Sequence, residues 1–299
     1  MFRGLGRMAY SYLLMMFRTK TALFWTLVFP LFILIGFAIV FGGGDPERIA
    51  YIVPGILTIT IISATFFGTS MNMVAQRENG VFRRYRATPV SPIVVVSAHA
   101  LVSIFNLSIS LLLQILAAVL IFSIQINGSL ISLAVVAFCG FFAFAPLGLI
   151  VGSVAKDMKT APAITNLLFF PMMFLSGAAM PFFMLPDWLQ TIGKLLPATY
   201  VVESMLGVMV RGAGLTELFA PLLVLLASGL VAFLLNGMLF RWESNEPLNF
   251  KRLGMAVSLL TLIYIIAGLA IPSLKMSQRP VASIESKTDM QYANARKWP

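Results

Sequence analysis

An all-α polytopic membrane protein is the fold class this sequence predicts, and three observations predict it. Of its 299 residues, 59% are hydrophobic and only 11% are charged, with a mean hydropathy of +0.93. A soluble domain of this length carries nearer a quarter charged residues, because a water-facing surface needs them. The apolar residues gather into long uncharged runs, and the charges fall in the short gaps between them. At roughly 20 residues per crossing, the apolar content supplies about six or seven spans. A large soluble catalytic domain is thereby excluded. The net charge of +10 follows the pattern of basic cytoplasmic loops, so no nucleic-acid partner is expected. Cys139 is the only cysteine, which rules out an intramolecular disulfide and a cysteine-rich metal site.

The elements follow in chain order. Over residues 1–21, Arg3, Arg7, Ser11 and Arg18 fall on one narrow helical face, with Leu5, Met8, Tyr12, Met15 and Met16 opposite. This pattern predicts a helix lying in the membrane interface rather than a cleaved leader. Uncharged apolar runs then occupy about 22–41, 51–75, 93–123, 130–155, 161–183, 217–240 and 253–272, each long enough to cross as a helix. Pro30, Pro54, Pro146, Pro162 and Pro171 lie within or at the ends of these runs and predict local kinks. Residues 273–299 form a polar, basic tail without a periodic apolar face.

Positive charge predicts the orientation. With the N-terminus in the cytoplasm, Arg3, Arg7, Arg18, Lys20, Arg77, Arg83, Arg84, Arg86, Lys156, Lys159, Arg241, Lys251 and Arg252 share the inner side, against Arg48, Lys194 and Arg211 outside. This bias of 13 to 3 marks the cytoplasmic face of a multi-pass cell (inner) membrane protein. The tail is discordant. A seventh span places it outside although it holds Lys275, Arg279, Lys287, Arg296 and Lys297.

Two interruptions hold the functional information. The stretch Arg77 to Pro92 (RENGVFRRYRATPVSP) crowds Glu78, Arg83, Arg84 and Arg86 into a short helix-compatible segment closed by Pro89 and Pro92. It predicts a compact charged helix beneath the membrane, able to dock into another protein. The stretch Leu175 to Glu203 interleaves Pro181, Pro186 and Pro197 with Phe182, Phe183, Trp188 and Tyr200. Its helical pieces are too short to cross, as in re-entrant half-helices. Trp188 and Tyr200 also suit an anchor at the lipid head groups.

Together these two stretches resemble the permease subunits of type-two ABC transporters, with the type V exporter fold. Arg77 to Pro92 looks like the family's Arg-Glu-x-Gly coupling helix ending in Thr-Pro. Leu-Ser-Gly from Leu175, Leu-Pro-x-Trp-Leu from Leu185 and Leu-Pro-x-Thr-Tyr from Leu196 look like its outer re-entrant element. The resemblance implies that 1–21 is a connecting helix with Arg3, Arg7 and Arg18 at the inner leaflet, and that 22–245 is a six-span permease domain. Within it, a coupling helix at 77–90 would present Glu78, Gly80, Phe82, Arg83, Arg84 and Arg86 to an ABC ATPase subunit. An outer re-entrant segment at 181–203 would form a gate from Pro181, Phe182, Phe183, Trp188 and Tyr200. A second permease copy or a homologous permease would complete the pathway among membrane lipids. The additional seventh span, within 246–272, and the tail at 273–299 are departures from the family's usual six spans.

No Gly-x-x-x-x-Gly-Lys-Ser/Thr phosphate loop occurs in the sequence, so this chain is expected to bind no cofactor and to perform no chemistry, with ATP and Mg held by the partner ATPase. His99 lacks a cluster of co-ligands. Ser153 and Lys156 have a Ser-x-x-Lys spacing, but Lys156 reads as the basic end of a span. Asn72, Asn106, Gln114 and Asn166 suit bonds between helices, as Gly148 and Gly152 suit close packing. Nearly charge-free span interiors disfavour ion-coupled transport. The expected function is the permease of an ATP-driven exporter for a lipophilic or amphiphilic compound, and the rival is an ATP-independent channel or lipid scramblase.

Overall fold

The computed structural model describes residues 5–81, 92–239 and 249–271. Among them every regular element is helical. Helix α1 (Leu5–Arg18) packs against α5 (Pro92–Phe122). Met8 and Tyr12 are half-buried while Arg7, Ser11 and Arg18 are exposed.

A short α2 (Lys20–Leu23) runs through a π-helical turn, Phe24–Val28, into α3 (Phe29–Gly42). Pro30 explains the widened turn. It has no N–H to give the Thr26 carbonyl, and its ring crowds that carbonyl, so the Phe29 amide reaches back five residues to Phe24. Gly43 and Gly44 then adopt φ of +58° and +78°, a region open to glycine at little cost. The reversal ends at Asp45, whose carboxylate accepts the Glu47 amide at 2.9 Å and caps α4.

Helix α4 (Pro46–Glu78) is the axis of the bundle. Its 33 residues make a rod of about 50 Å at 1.5 Å per residue, longer than a bilayer core of roughly 30 Å. It packs on α3, α5, α6 (Leu130–Val154) and α7 (Thr160–Leu175). Gly148 and Gly152 of α6 face it. A Cβ added at these glycines would lie 3.0 Å from the Phe66 carbonyl oxygen and 3.1 Å from the Met73 side chain. The small-residue pair therefore serves packing within the chain. Gln114 of α5 accepts the Thr60 hydroxyl at 3.0 Å, and Ser70 meets Thr165 at 3.1 Å. Asn72 instead bonds its own helix, donating to the Gly68 carbonyl.

Among the described residues, six helical stretches are long and apolar enough to cross a membrane: Phe24–Gly42, Pro46–Glu78, Ala100–Phe122, Leu130–Val154, Phe219–Asn236 and Phe250–Ala270. The fifth apolar run departs from the expected span. Its helix α7 has 16 residues and stops at Leu175, about 24 Å long, because Gly177 turns the chain at φ +86°. The Ala179 amide then donates back to the Met173 carbonyl. After a 3-10 turn at Phe182–Met184 come α8 (Asp187–Gly193) and α9 (Pro197–Met209), then α10 (Phe219–Leu239) and α11 (Phe250–Ala270).

The two ends of the bundle are distinct. Arg77, Lys156 and Lys159 gather at one, which we call the basic end. Near it, Ala256 of α11 shares an apolar cluster with Ile150 and Leu239. Gly268, near the far end of α11, approaches Lys194 and Leu195. The last helix therefore runs away from the basic end and finishes in the opposite half.

Candidate coupling and gate elements

At the basic end, the last turn of α4 grips the loop between α6 and α7. Arg77 is 5% exposed. Its guanidinium donates to the carbonyls of Gly152 at 3.1 Å, Lys156 at 3.3 Å and Ala155. These carbonyls close α6, where a helix leaves its acceptors unsatisfied and favours a cation. Neighbouring Glu78 is exposed and accepts the Met158 amide at 3.0 Å. Asp157 accepts the amides of Thr160 at 2.8 Å and Lys159 at 3.1 Å. The Thr160 backbone bond, then its hydroxyl, holds the Asp157 carboxyl below its ordinary pKa.

Arg77 and Glu78 thus complete a bundle helix, and the chain turns only afterwards, at Asn79 and Gly80. The Gly80 amide donates to the Arg77 carbonyl at 3.1 Å, with Gly80 at φ +67°. Of the other residues expected in the coupling segment, Phe82, Arg83, Arg84 and Arg86 lie outside the described residues, as does Arg3. Ser153 and Lys156 are not a reactive pair: Ser153 is buried with its hydroxyl on the Met73 sulfur at 3.8 Å, whereas Lys156 is exposed.

At the opposite end, several residues of the motifs expected on the outer side have a structural task. In Leu-Ser-Gly, Ser176 accepts the Ala178 amide at 3.3 Å and Gly177 supplies the positive φ. The Ala178 carbonyl lies so close to Gly55 of α4 that an added Cβ would stand 2.2 Å from it. Pro186 precedes α8, and its carbonyl accepts the Leu189 and Gln190 amides. In Leu-Pro-x-Thr-Tyr, Pro197 begins α9, a position at which proline sacrifices no bond. The Thr199 hydroxyl donates to the Gly193 carbonyl and the Tyr200 hydroxyl to the Lys194 carbonyl at 3.0 Å. The motif closes the α8 C-terminus onto the start of α9.

Helix α9 begins deep in the bundle. Val201 and Ile61 close over Gly140, near the middles of α4 and α6. It ends beside the loop joining α5 to α6, where the Asn127 side-chain amide donates to the Val210 carbonyl at 2.6 Å.

The expected gate residues divide. Phe182 and Tyr200 are buried, at 2% and 0% exposure, Pro181 is half-buried, and Trp188 is 65% exposed. The Phe183 side chain lies outside the described residues. Burial removes Tyr200 from any head-group anchor, whereas Trp188 remains free for one. Phe182 packs with Leu185 and Val202 over Gly193. Sequence reasoning overlooked an ion pair here: Arg211 donates to the Glu203 carboxylate at 2.6 Å, with Glu203 itself 5% exposed. A glutamate on an apolar helix eight residues before an arginine was the available signal.

Long apolar helices packed side by side, with a charged clasp at one end and a segment turned inward at the other, define a multi-pass membrane protein. Residues 5–210 match the family model described as ABC-2 type transporter, and the chain belongs to that family. It is 25% identical over 190 residues to ABC transporter G family member 20 of Dictyostelium discoideum, covering 63% of this chain and 26% of that protein. It is 24% identical over 201 residues to Inner membrane transport permease YhhJ of Escherichia coli (strain K12), covering 66% and 52% respectively. It is also 24% identical over 217 residues to Daunorubicin resistance ABC transporter permease protein DrrB1 of Streptomyces coeruleorubidus, covering 64% and 75%. The aligned region spans about half or less of the first two relatives.

Proposed function

We propose that this chain is the permease subunit of an ATP-driven ABC exporter. In this reading it moves a lipophilic or amphiphilic compound, such as a drug or lipid, out of the cytoplasm or inner leaflet. The observation that carries the reading is the continuity of α4. One helix clasps the basic end through Arg77 and Glu78, directly before the expected coupling segment, and meets the inward-turning element at Gly55. A stiff rod touching both places can transmit a push at one end to the other.

The basic end is cytoplasmic in this proposal, with the N-terminus, α1 and the residues Glu78, Gly80, Phe82, Arg83, Arg84 and Arg86 on that side. Gly80 frees the segment that follows to leave the bundle, so that Phe82 and the three arginines enter a groove of a separate ATPase subunit. ATP and Mg belong to that subunit. Closure of an ATPase pair moves the docked segment, α4 transmits the motion, and the element from Pro181 to Glu203 opens the outer side. The exposed apolar faces of α3 and α7, including Phe32, Phe41, Leu167 and Phe174, suit lipid and a second permease copy. Daunorubicin resistance in the name of one relative supports a drug among the possible cargoes.

The test is affinity purification of the full chain from its own membranes with a candidate ABC ATPase subunit produced alongside. Recovery of that ATPase, with hydrolysis lowered by Arg83→Glu and Arg84→Glu together, is the expected result. An intact chain that recovers no ATPase and conducts or scrambles lipid without ATP would replace the exporter with a channel or scramblase.

A further inference from the structure

Helix α11 lies beyond the region matched by the family model, which ends at residue 210, and it is lightly seated. Its buried residues are Ala256, Tyr264 and Ala267, while Met255, Val257, Leu262, Ile266 and Leu269 are exposed. Tyr264 is the one large side chain among the three. Its hydroxyl donates to Ser228 of α10 at 2.6 Å, and Ser228 donates onward to the Leu225 carbonyl at 3.1 Å. Its ring lies 5.8 Å from that of Tyr200, tilted by 41°, within the range of favourable aromatic pairs. Tyr200 in turn holds the Lys194 carbonyl, and Gly268 one turn further on approaches Lys194.

A phenylalanine would fill this space equally well. The hydroxyl adds direction, since away from water it must find a partner and therefore fixes the ring. We infer that α11 braces the outer gate, with Tyr264 as a positioning residue that holds Tyr200 and, through it, the turn between α8 and α9. The inference rests on the reading of that turn as part of the gate. Opening then has to carry α11 along or break the Tyr264–Tyr200 contact, so α11 sets how readily the gate moves.

Thiol labelling in membranes tests this without any ATPase subunit, so failure of the exporter reading leaves the test intact. Ala198, fully buried on the first turn of α9, is replaced by Cys in a Cys139→Ser chain and labelled with N-ethylmaleimide. The unaltered chain, whose Cys139 is buried in α6, is the control. Tyr264→Ala is expected to speed labelling at position 198 by about tenfold, as loss of one buried bond and its packing implies, and to leave Cys139 unchanged. Equal acceleration at both positions would show general loosening and overturn the brace, as would no acceleration at either. Should Tyr264→Ala fail to reach the membrane, Tyr264→Phe and Ser228→Ala decide. Each removes the same bond, so each should accelerate labelling and the pair should add nothing further. Independent, multiplying effects would refute a shared bond.

Discussion

Arg77 illustrates how one side chain can have a role its neighbours in sequence conceal. Among Arg83, Arg84 and Arg86 it reads as another loop cation, yet it is buried and closes the C-terminus of α6. Replacing it with Ala leaves buried carbonyls unsatisfied and should destabilise the chain by about 2–3 kcal/mol, read as a lower melting temperature in detergent. Arg77→Lys should recover little, because one ammonium cannot reproduce a planar fork; full recovery would contradict the assignment. Asp157 supplies a pH test. Its pKa is lowered in the folded chain by the Thr160 bonds, so its support for the start of α7 is present above the ordinary carboxylate value near 4 and fades as pH falls through the lowered one. Hydrogen exchange at the Thr160 amide, corrected for intrinsic rate, should be unchanged from pH 8 to 5 and faster only in stronger acid. Asp157→Asn should weaken that protection at every pH.

At the scale of elements, the inward-turning segment depends on contacts that leave no room for substitution. Gly55→Ala would drive a methyl into the Ala178 backbone, so we expect about 1–3 kcal/mol of destabilisation with helix content by circular dichroism retained. The Glu203–Arg211 pair should behave as a unit. Arg211→Met alone and Glu203→Gln alone should each lower the melting temperature more than the double variant does, because each single change leaves a charge without its counterpart. The existence of these elements was legible in the sequence: apolar runs located the long helices, and Pro181, Pro186 and Pro197 announced short ones. Their depth was not. Tyr200 reads as an interfacial aromatic until the Lys194 carbonyl and Tyr264 enclose it, and those contacts join distant positions that no local pattern links. The early stop of α7 was equally hidden, because the apolar run continues to Phe183 while Gly177 turns the backbone.

For the whole molecule, the design is a long buried helix with a job at each end. The same charge pattern that predicts orientation also singles out the end where α4 clasps its neighbour, and Gly268, near the end of α11, lies in the other half beside Lys194. That arrangement follows from α11 packing antiparallel to α10, with Ala256 near Leu239 and Tyr264 on Ser228. The most direct test of α4 as a transmitting rod is labelling of Ala198→Cys in the Cys139→Ser permease, reconstituted with its ATPase in vesicles and compared with and without ATP. The account predicts a labelling rate that changes with ATP, and loss of that change in the Arg83→Glu, Arg84→Glu double variant. An identical rate in both conditions, from a complex that hydrolyses ATP, would contradict it.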